Sequence, residues 1–139
     1  MIILDTNVVS EPMKAHANPA VAAWLDRQAA ETLYLTAVNL AELLFGVETM
    51  PAGKRREGVG AALAALLSKL FGARILPFDE DAARTYATLV ARARASGLAL
   101  SVADAQIAAI AAARGFAVAT RNTAPFVAAG VPIFDPWRL

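Results

Sequence analysis

The chain has 139 residues, a mass of 14.5 kDa, 58% hydrophobic residues, a formal net charge of +1 and no cysteine. This length fits one domain that is long enough to bury a core. The lack of cysteine excludes disulfides and cysteine-based metal sites, and the near-neutral charge gives no bulk argument for nucleic-acid binding. There is no signal peptide pattern and no run of about 18 apolar residues, so we expect no membrane contact and a cytoplasmic location.

The first predicted element is a strand at residues 1–4, whose large apolar residues lead directly into Asp5. Such a run is typical of a parallel strand that is covered on both faces. Asp5 then lies beyond the carboxyl end of the strand, where ligands bind in open α/β folds. Taken alone, Asp5-Thr6-Asn7 is more simply a turn that ends the strand. A functional role for Asp5 therefore depends on other carboxylates near it.

The first half of the chain then alternates helix and strand after a polar turn and a short segment at 8–16. A helix is predicted from the Asn18-Pro19 start to about residue 29, because Asn caps helices and Pro is favoured at their first position. A strand at 33–36 follows, and Thr36 can cap the next helix, which Met50-Pro51-Ala52-Gly53 ends.

The second half continues the alternation. Leucines at 63, 66, 67 and 70 form one apolar stripe and predict a helix over 55–71. A strand is predicted at 74–78 with Pro77 at an edge or end, followed by a helix from Asp79 to Ser96. Ser101 caps a helix at 102–114, and a strand at 116–120, a short helix near 125–129 and a strand at 131–134 complete the pattern. This order predicts one α/β domain, 1–139, with a parallel sheet and helices on both faces.

Two further acids lie among apolar residues. Glu42 is surrounded by Leu and Ala on its helix, and Asp104 opens a helix of Ile and Ala. Carboxylates are rarely buried without a partner. Asp104 also has a structural explanation, since Ser101-x-x-Asp104 resembles a capping box. The structural explanations for Glu42 are weaker: it could pair with Arg74 or another Arg, or face solvent at the edge of its helix.

Asp5, Glu42 and Asp104 can all lie at the same end of one parallel sheet. Three carboxylates placed together repel one another unless a cation is present. With no cysteine and one histidine, the available ligands are oxygens, which suit Mg²⁺, or Mn²⁺ as a substitute. Such an ion would support phosphodiester hydrolysis by activating water and stabilising the developing charge.

Four motifs occur in order along nearly the whole chain: Ile3-Leu4-Asp5-Thr6-Asn7, Ala41-Glu42, Ala103-Asp104 with Ile107-Ala108, and Ala119-Thr120-Arg121-Asn122-Thr123. In this order and spacing the chain resembles the PIN-domain ribonucleases, most closely the VapC/FitB-type toxins of bacterial toxin–antitoxin pairs. The Ile75-Leu76-Pro77-Phe78-Asp79 segment and the Asp135-Pro136-Trp137 ending are similar to the FitB branch. The resemblance implies a PIN-like three-layer α/β/α sandwich with a short parallel sheet.

The resemblance implies a metal-dependent endoribonuclease in which Asp5, Glu42 and Asp104 are the catalytic and metal-binding residues. A fourth acid of the family falls on Asn122, whose neutral carbonyl predicts weaker binding of a second metal and favours a one-metal mechanism or low activity. By the same resemblance, Thr6 and Thr120 orient ligands or water. Arg121 contacts phosphate or forms a structural ion pair.

The resemblance also implies the partners. The substrate is RNA, the chain forms a homodimer, and a small antitoxin holds it inactive. The antitoxin tail is expected over apolar helices near Leu43, Phe45, Val47 and Leu67, with an Arg that reaches the acids. Operator DNA is expected to bind only through the antitoxin.

Two other functions stay open. One is a non-catalytic or catalytically weak binding module with the same fold, which Asn122 favours. The other is a phosphohydrolase acting on small phosphates. A haloacid-dehalogenase-type enzyme would need a second Asp two residues after Asp5, and Asn7 stands there instead.

Overall fold

Five short strands form one fully parallel sheet in the computed structural model, which describes residues 1–139. The strand order is β3-β2-β1-β4-β5, so β1 is central and the chain changes direction across the sheet at β1. In the register, Ile3 lies opposite both Tyr34 and Val118. The strands are β1 Ile2–Leu4, β2 Leu33–Thr36, β3 Ile75–Leu76, β4 Ala117–Ala119 and β5 Ile133–Phe134.

Seven helices surround the sheet, and short 3-10 turns lie at Glu11–Met13 and Ala30–Thr32. None of these helices combines the length and the apolar character that a membrane crossing requires. The helices are α1 Thr6–Ser10, α2 Pro19–Asp26, α3 Ala37–Glu48, α4 Lys54–Leu70, α5 Glu80–Ala95, α6 Val102–Arg114 and α7 Ala124–Ala128.

The core consists of two clusters, one on each face of the sheet. Successive strand residues point to opposite faces, so Ile3 and Val118 enter one cluster while Leu4 and Ala119 enter the other. The Leu4 cluster includes residues of α1, α2, α3 and α4, and the Ile3 cluster includes residues of α5, α6 and α7. The structure therefore confirms the predicted three-layer α/β/α sandwich with a short parallel sheet.

The structure differs from the predicted elements mainly at their ends. The turn predicted after Asp5 is the first turn of α1, because the Asp5 side chain accepts a hydrogen bond from Thr6 N (2.9 Å) and caps a helix. Helix α2 ends at Asp26 rather than near residue 29, and Gln28 Nε2 donates to Trp24 O at its last turn (3.0 Å). Strand β3 has two residues rather than five, since Pro77 has no N–H to continue the ladder.

Phe71 supplies a stability test of this packing, because its side chain is fully buried after α4. Phe71→Ala should lower the free energy of unfolding by about 3–5 kcal/mol, the usual cost of deleting a buried aromatic ring. Urea denaturation measures the change. Phe45→Ala is the matched control, because Phe45 is 68% exposed and should cost far less. Equal losses in the two variants would contradict the assignment of Phe71 to the core.

Candidate active site

Asp5 lies directly beyond the carboxyl end of β1, at the place where the strand order reverses. Its side chain is 6% exposed and accepts three hydrogen bonds from protein donors. Thr6 N (2.9 Å) and Asn39 Nδ2 (3.1 Å) donate to Oδ1, and Thr120 Oγ1 donates to Oδ2 (2.7 Å). These bonds, which come from α1, α3 and the end of β4, fix the orientation of the carboxylate.

Glu42 approaches this site from the middle of α3. Thr6 Oγ1 donates a hydrogen bond to Glu42 Oε1 (3.1 Å), so the side chain of Thr6 joins the end of β1 to α3. The ion pair with Arg74 or another Arg that the sequence left open is not formed, and Glu42 is exposed, as the solvent-facing alternative predicted. Arg74 instead donates to the backbone carbonyls of Leu33 (2.9 Å) and Leu70 (2.7 Å).

Asp104 lies in the first turn of α6, and its backbone N donates to Ser101 Oγ (3.1 Å). The capping explanation thus holds for the backbone of Asp104, while its carboxylate makes no hydrogen bond or ion pair. The charge of Asp104 acts on both other acids, since it raises the pKa of Asp5 and the pKa of Glu42.

Loss of contact with water is the main cause of the raised pKa of both Asp5 and Glu42. Burial raises the pKa of Asp5, and the hydrogen bond from Thr120 opposes this rise most strongly. Glu42 is exposed, yet partial desolvation still raises its pKa; the hydrogen bond from Thr6 opposes this rise and the charges of Asp5 and Asp104 add to it. No Lys or Arg forms an ion pair with any of the three acids.

Carboxylates that repel one another and lack a basic partner fit a divalent cation by their chemistry. However, no set of three acidic, histidine or cysteine side chains lies close enough together to form a ready cage around an ion. Mg²⁺ commonly takes only one or two protein carboxylates and keeps several waters, so an open arrangement of this kind suits it. The metal role of Asp5, Glu42 and Asp104 remains a prediction.

The segment after β4 lies beside Asp5. Asn122 is exposed, and its backbone N donates to Thr120 Oγ1 (3.0 Å), the hydroxyl that bonds Asp5. Arg121 N donates to Asn7 Oδ1 (3.2 Å). The Arg121 guanidinium lies 5.2 Å from the centroid of the Trp137 ring, a cation–π contact, and forms no ion pair at bonding distance. The sequence analysis had predicted either a phosphate contact or a structural ion pair for Arg121, and not this contact with Trp137.

A groove of about 300 Å³ adjoins Glu42 between α1, α3 and α4. We call it the α3 groove. Its wall is partly apolar, and its lining includes Met13, Leu43, Val47 and Met50 together with Thr6 and Glu42. Leu44 and Phe45, on the same helix, are 48% and 68% exposed. Leu67, which the sequence placed near an antitoxin, packs against the core.

Sequence reasoning missed Asn39, which is fully buried and bonds both Asp5 and Thr6. A signal was present, because Asn39 is a polar residue in an apolar helix and lies three positions before Glu42. That spacing places two side chains on one helix face. Asn7 was missed as a side-chain acceptor for the backbone N of Arg121, and no pattern in the sequence indicates that long-range contact.

The raised pKa of Glu42 gives a test in cation-free protein. Glu42→Gln should raise the melting temperature at pH 7, because the amide oxygen can still accept the bond from Thr6 and no longer repels Asp5 and Asp104. A carboxyl whose folded-state pKa is raised destabilises the folded state only while it is ionised. The gain should therefore be lost as the pH falls through the raised folded pKa toward the ordinary glutamate value.

Thermal denaturation in EDTA at several pH values measures this difference. Glu31→Gln is the matched control, because Glu31 is exposed, lies in the turn before β2 and forms no ion pair. A Glu42→Gln protein that melts below the wild type at pH 7 would contradict the electrostatic account.

Comparison with known proteins agrees with this fold. The PIN domain family model matches residues 2–131. The VapC ribonuclease Y4jK of Sinorhizobium fredii is 53% identical and Toxin FitB of Neisseria gonorrhoeae is 44% identical, each over 138 residues and 99% of both chains. The solved structure of FitAB bound to an IR36 DNA fragment matches with a TM-score of 0.95 at 42% identity, over 100% of this chain and 97% of the other. The chain therefore belongs to the PIN-domain family and, within it, to the VapC/FitB-type ribonuclease toxins of toxin–antitoxin systems.

Proposed function

We propose that the chain is a Mg²⁺-dependent endoribonuclease that hydrolyses RNA phosphodiesters and is held inactive by a cognate antitoxin. The observation that carries the proposal is the buried carboxylate of Asp5 at the strand-order reversal, with the charges of Glu42 and Asp104 acting on the same site and no basic side chain paired to them. The ribonuclease name of the relative that is 53% identical over nearly the full length supports the same activity.

Asp5, Glu42 and Asp104 are the proposed catalytic residues and would hold Mg²⁺, or Mn²⁺ in its place. A divalent ion bound there supplies stabilisation of the negative charge that develops on the phosphate oxygens. Thr120 and Thr6 position the ligands, because their hydroxyls donate to Asp5 and Glu42 respectively. These bonds hold the acceptor lone pairs of the carboxylates in set directions.

Two residues after β4 are proposed to meet the substrate. Arg121 is the proposed phosphate contact, since a guanidinium stacked on Trp137 keeps its N–H edge available for a phosphate. Asn122 would offer a neutral carbonyl where the family often has an acid. We therefore propose a mechanism with one ion, in which Asn122 contributes weakly or not at all to ion binding.

The antitoxin is proposed to lie over α3. Leu44 and Phe45 are exposed there, and the α3 groove leads from apolar side chains to Glu42, so a tail with apolar residues and one Arg fits its chemistry. The FitAB–DNA structure supports operator binding as a complex, which for this chain we propose occurs through the antitoxin. We also propose a homodimer and a cytoplasmic site of action on RNA.

A catalytically weak binding module is the second candidate function. Asn122 and the open spacing of the three acids favour it. A nuclease assay with and without EDTA separates the two, since a binding module would show no cation-dependent cleavage.

Asp104→Asn should reduce RNA cleavage by about 100-fold or more, because metal-assisted stabilisation of a developing charge is worth several kcal/mol and each 1.4 kcal/mol is tenfold in rate. Asp104 is a cleaner test than Asp5, which also caps α1 and whose loss would weaken that helix. The measurement is the rate of RNA cleavage by purified protein in Mg²⁺.

The matched control is Asp81→Asn, a like change in the first turn of α5. It should cleave at the wild-type rate, because Asp81 contributes nothing to the electrostatics of Asp5 or Glu42. Wild-type cleavage by the Asp104→Asn protein would defeat the assignment of Asp104.

Phe45→Asp should abolish co-purification with the product of the neighbouring open reading frame, because it places a charge on the apolar surface proposed to be covered. Val127→Asp in α7 is the control at a similarly exposed apolar residue, and it should leave the complex intact. Retention of the partner by the Phe45→Asp protein would argue against α3 as the docking surface.

A further inference from the structure

Asn39 connects the acids that come from different elements. It is the third residue of α3 and is fully buried. Its Nδ2 lies 3.1 Å from Asp5 Oδ1 and 3.2 Å from Thr6 Oγ1, so its two amide hydrogens are matched by two acceptors. A buried amide with all its groups bonded is rigid, since breaking any one bond leaves a desolvated polar atom.

The orientation of the Asn39 amide is determined from both ends. A carboxylate oxygen can only accept, so the NH₂ group must face Asp5. On the other side, Thr36 Oγ1 accepts from Asn39 N (3.0 Å), and its proton is directed to Asn39 Oδ1 (2.6 Å). The hydroxyl that caps α3 thus also sets which way the amide points.

The same amide extends its effect to Glu42. Since Thr6 Oγ1 accepts from Asn39 Nδ2, its own proton is free to be donated to Glu42 Oε1 (3.1 Å). One side chain therefore sets the direction of Asp5 and, through Thr6, the direction of Glu42.

We infer that Asn39 is a positioning residue that holds the carboxylates of Asp5 and Glu42 in the arrangement that receives a divalent cation, and that Thr36 sets its amide orientation. This inference rests on the proposed metal-dependent function. A purely structural Asn39 would stabilise the fold without affecting how tightly a cation binds to folded protein.

The test measures Mn²⁺ affinity by calorimetric titration of the metal-free protein with MnCl₂, alongside the melting temperature in EDTA. Asn39→Ala should raise the Kd for Mn²⁺ by about 10- to 100-fold, the range for loss of a partner of a metal ligand. Thr36→Val should raise it by a smaller factor while Asn39 remains in place. Thr36→Ser, which keeps the hydroxyl, should restore an affinity close to that of the wild type.

Thr49→Val is the matched control for Thr36→Val. It removes a hydroxyl that bonds Gly46 O (3.1 Å) at the other end of the same helix, and it should leave the Kd for Mn²⁺ unchanged. If Asn39→Ala does not fold, Thr36→Val and Thr36→Ser still test whether the orientation of Asn39 affects the Kd for Mn²⁺, because both variants retain Asn39.

The inference is overturned if Asn39→Ala and Thr36→Val lower the melting temperature but bind Mn²⁺ with the wild-type Kd. In that case a wild-type protein that binds Mn²⁺ and cleaves RNA would leave the proposed function standing. A wild-type protein that neither binds Mn²⁺ nor cleaves RNA would overturn both.

Discussion

The burial of one carboxylate at the reversal of the strand order is the constraint on which the site depends. Asp5 follows the central strand, so it is covered by elements from both halves of the sheet. Its two oxygens are bonded by the backbone of α1, an amide of α3 and a hydroxyl at the end of β4. The other candidate residues except Arg121 are bonded to Asp5, lie one hydrogen bond away from it or are coupled to its charge.

This arrangement works against the stability of the folded chain. Burial raises the pKa of Asp5 and partial desolvation raises that of the exposed Glu42, with hydrogen bonds offsetting part of each rise. The donors that bond Asp5 are neutral and leave its negative charge in place, whereas an ion pair would neutralise it. Carboxylates whose ionisation is unfavourable in the folded state commonly mark functional sites rather than structural ones. Apolar burial in the two core clusters, one on each face of the sheet, stabilises the fold and offsets this cost.

The layered fold and the three candidate acids could be predicted from the sequence alone. Apolar strand runs, caps such as Asn18 and Thr36, and glycine stops are local signals, and all five strands and six of the seven helices were predicted near their observed places. Helix α1 was missed because Asp5-Thr6-Asn7, which holds its capping residue and first turn, was interpreted as a turn that ends the strand. Asn39 carried a local signal, but its bonding partners and the Arg121–Trp137 contact could not be predicted, since these contacts join residues 16 to 34 positions apart. Only the folded topology brings such residues together.

Helix α3 carries both Glu42, a proposed catalytic residue, and an exposed apolar surface. Asn39 and Glu42 lie on it beside Leu44 and Phe45, within two turns of one rigid element. Substitutions that loosen an inhibitor's grip on this helix are thus made close to the groups that orient the acids. If the antitoxin docks on α3 and the acids act as proposed, escape from inhibition and retention of full activity are coupled traits, which narrows the evolutionary routes by which this chain could become unregulated.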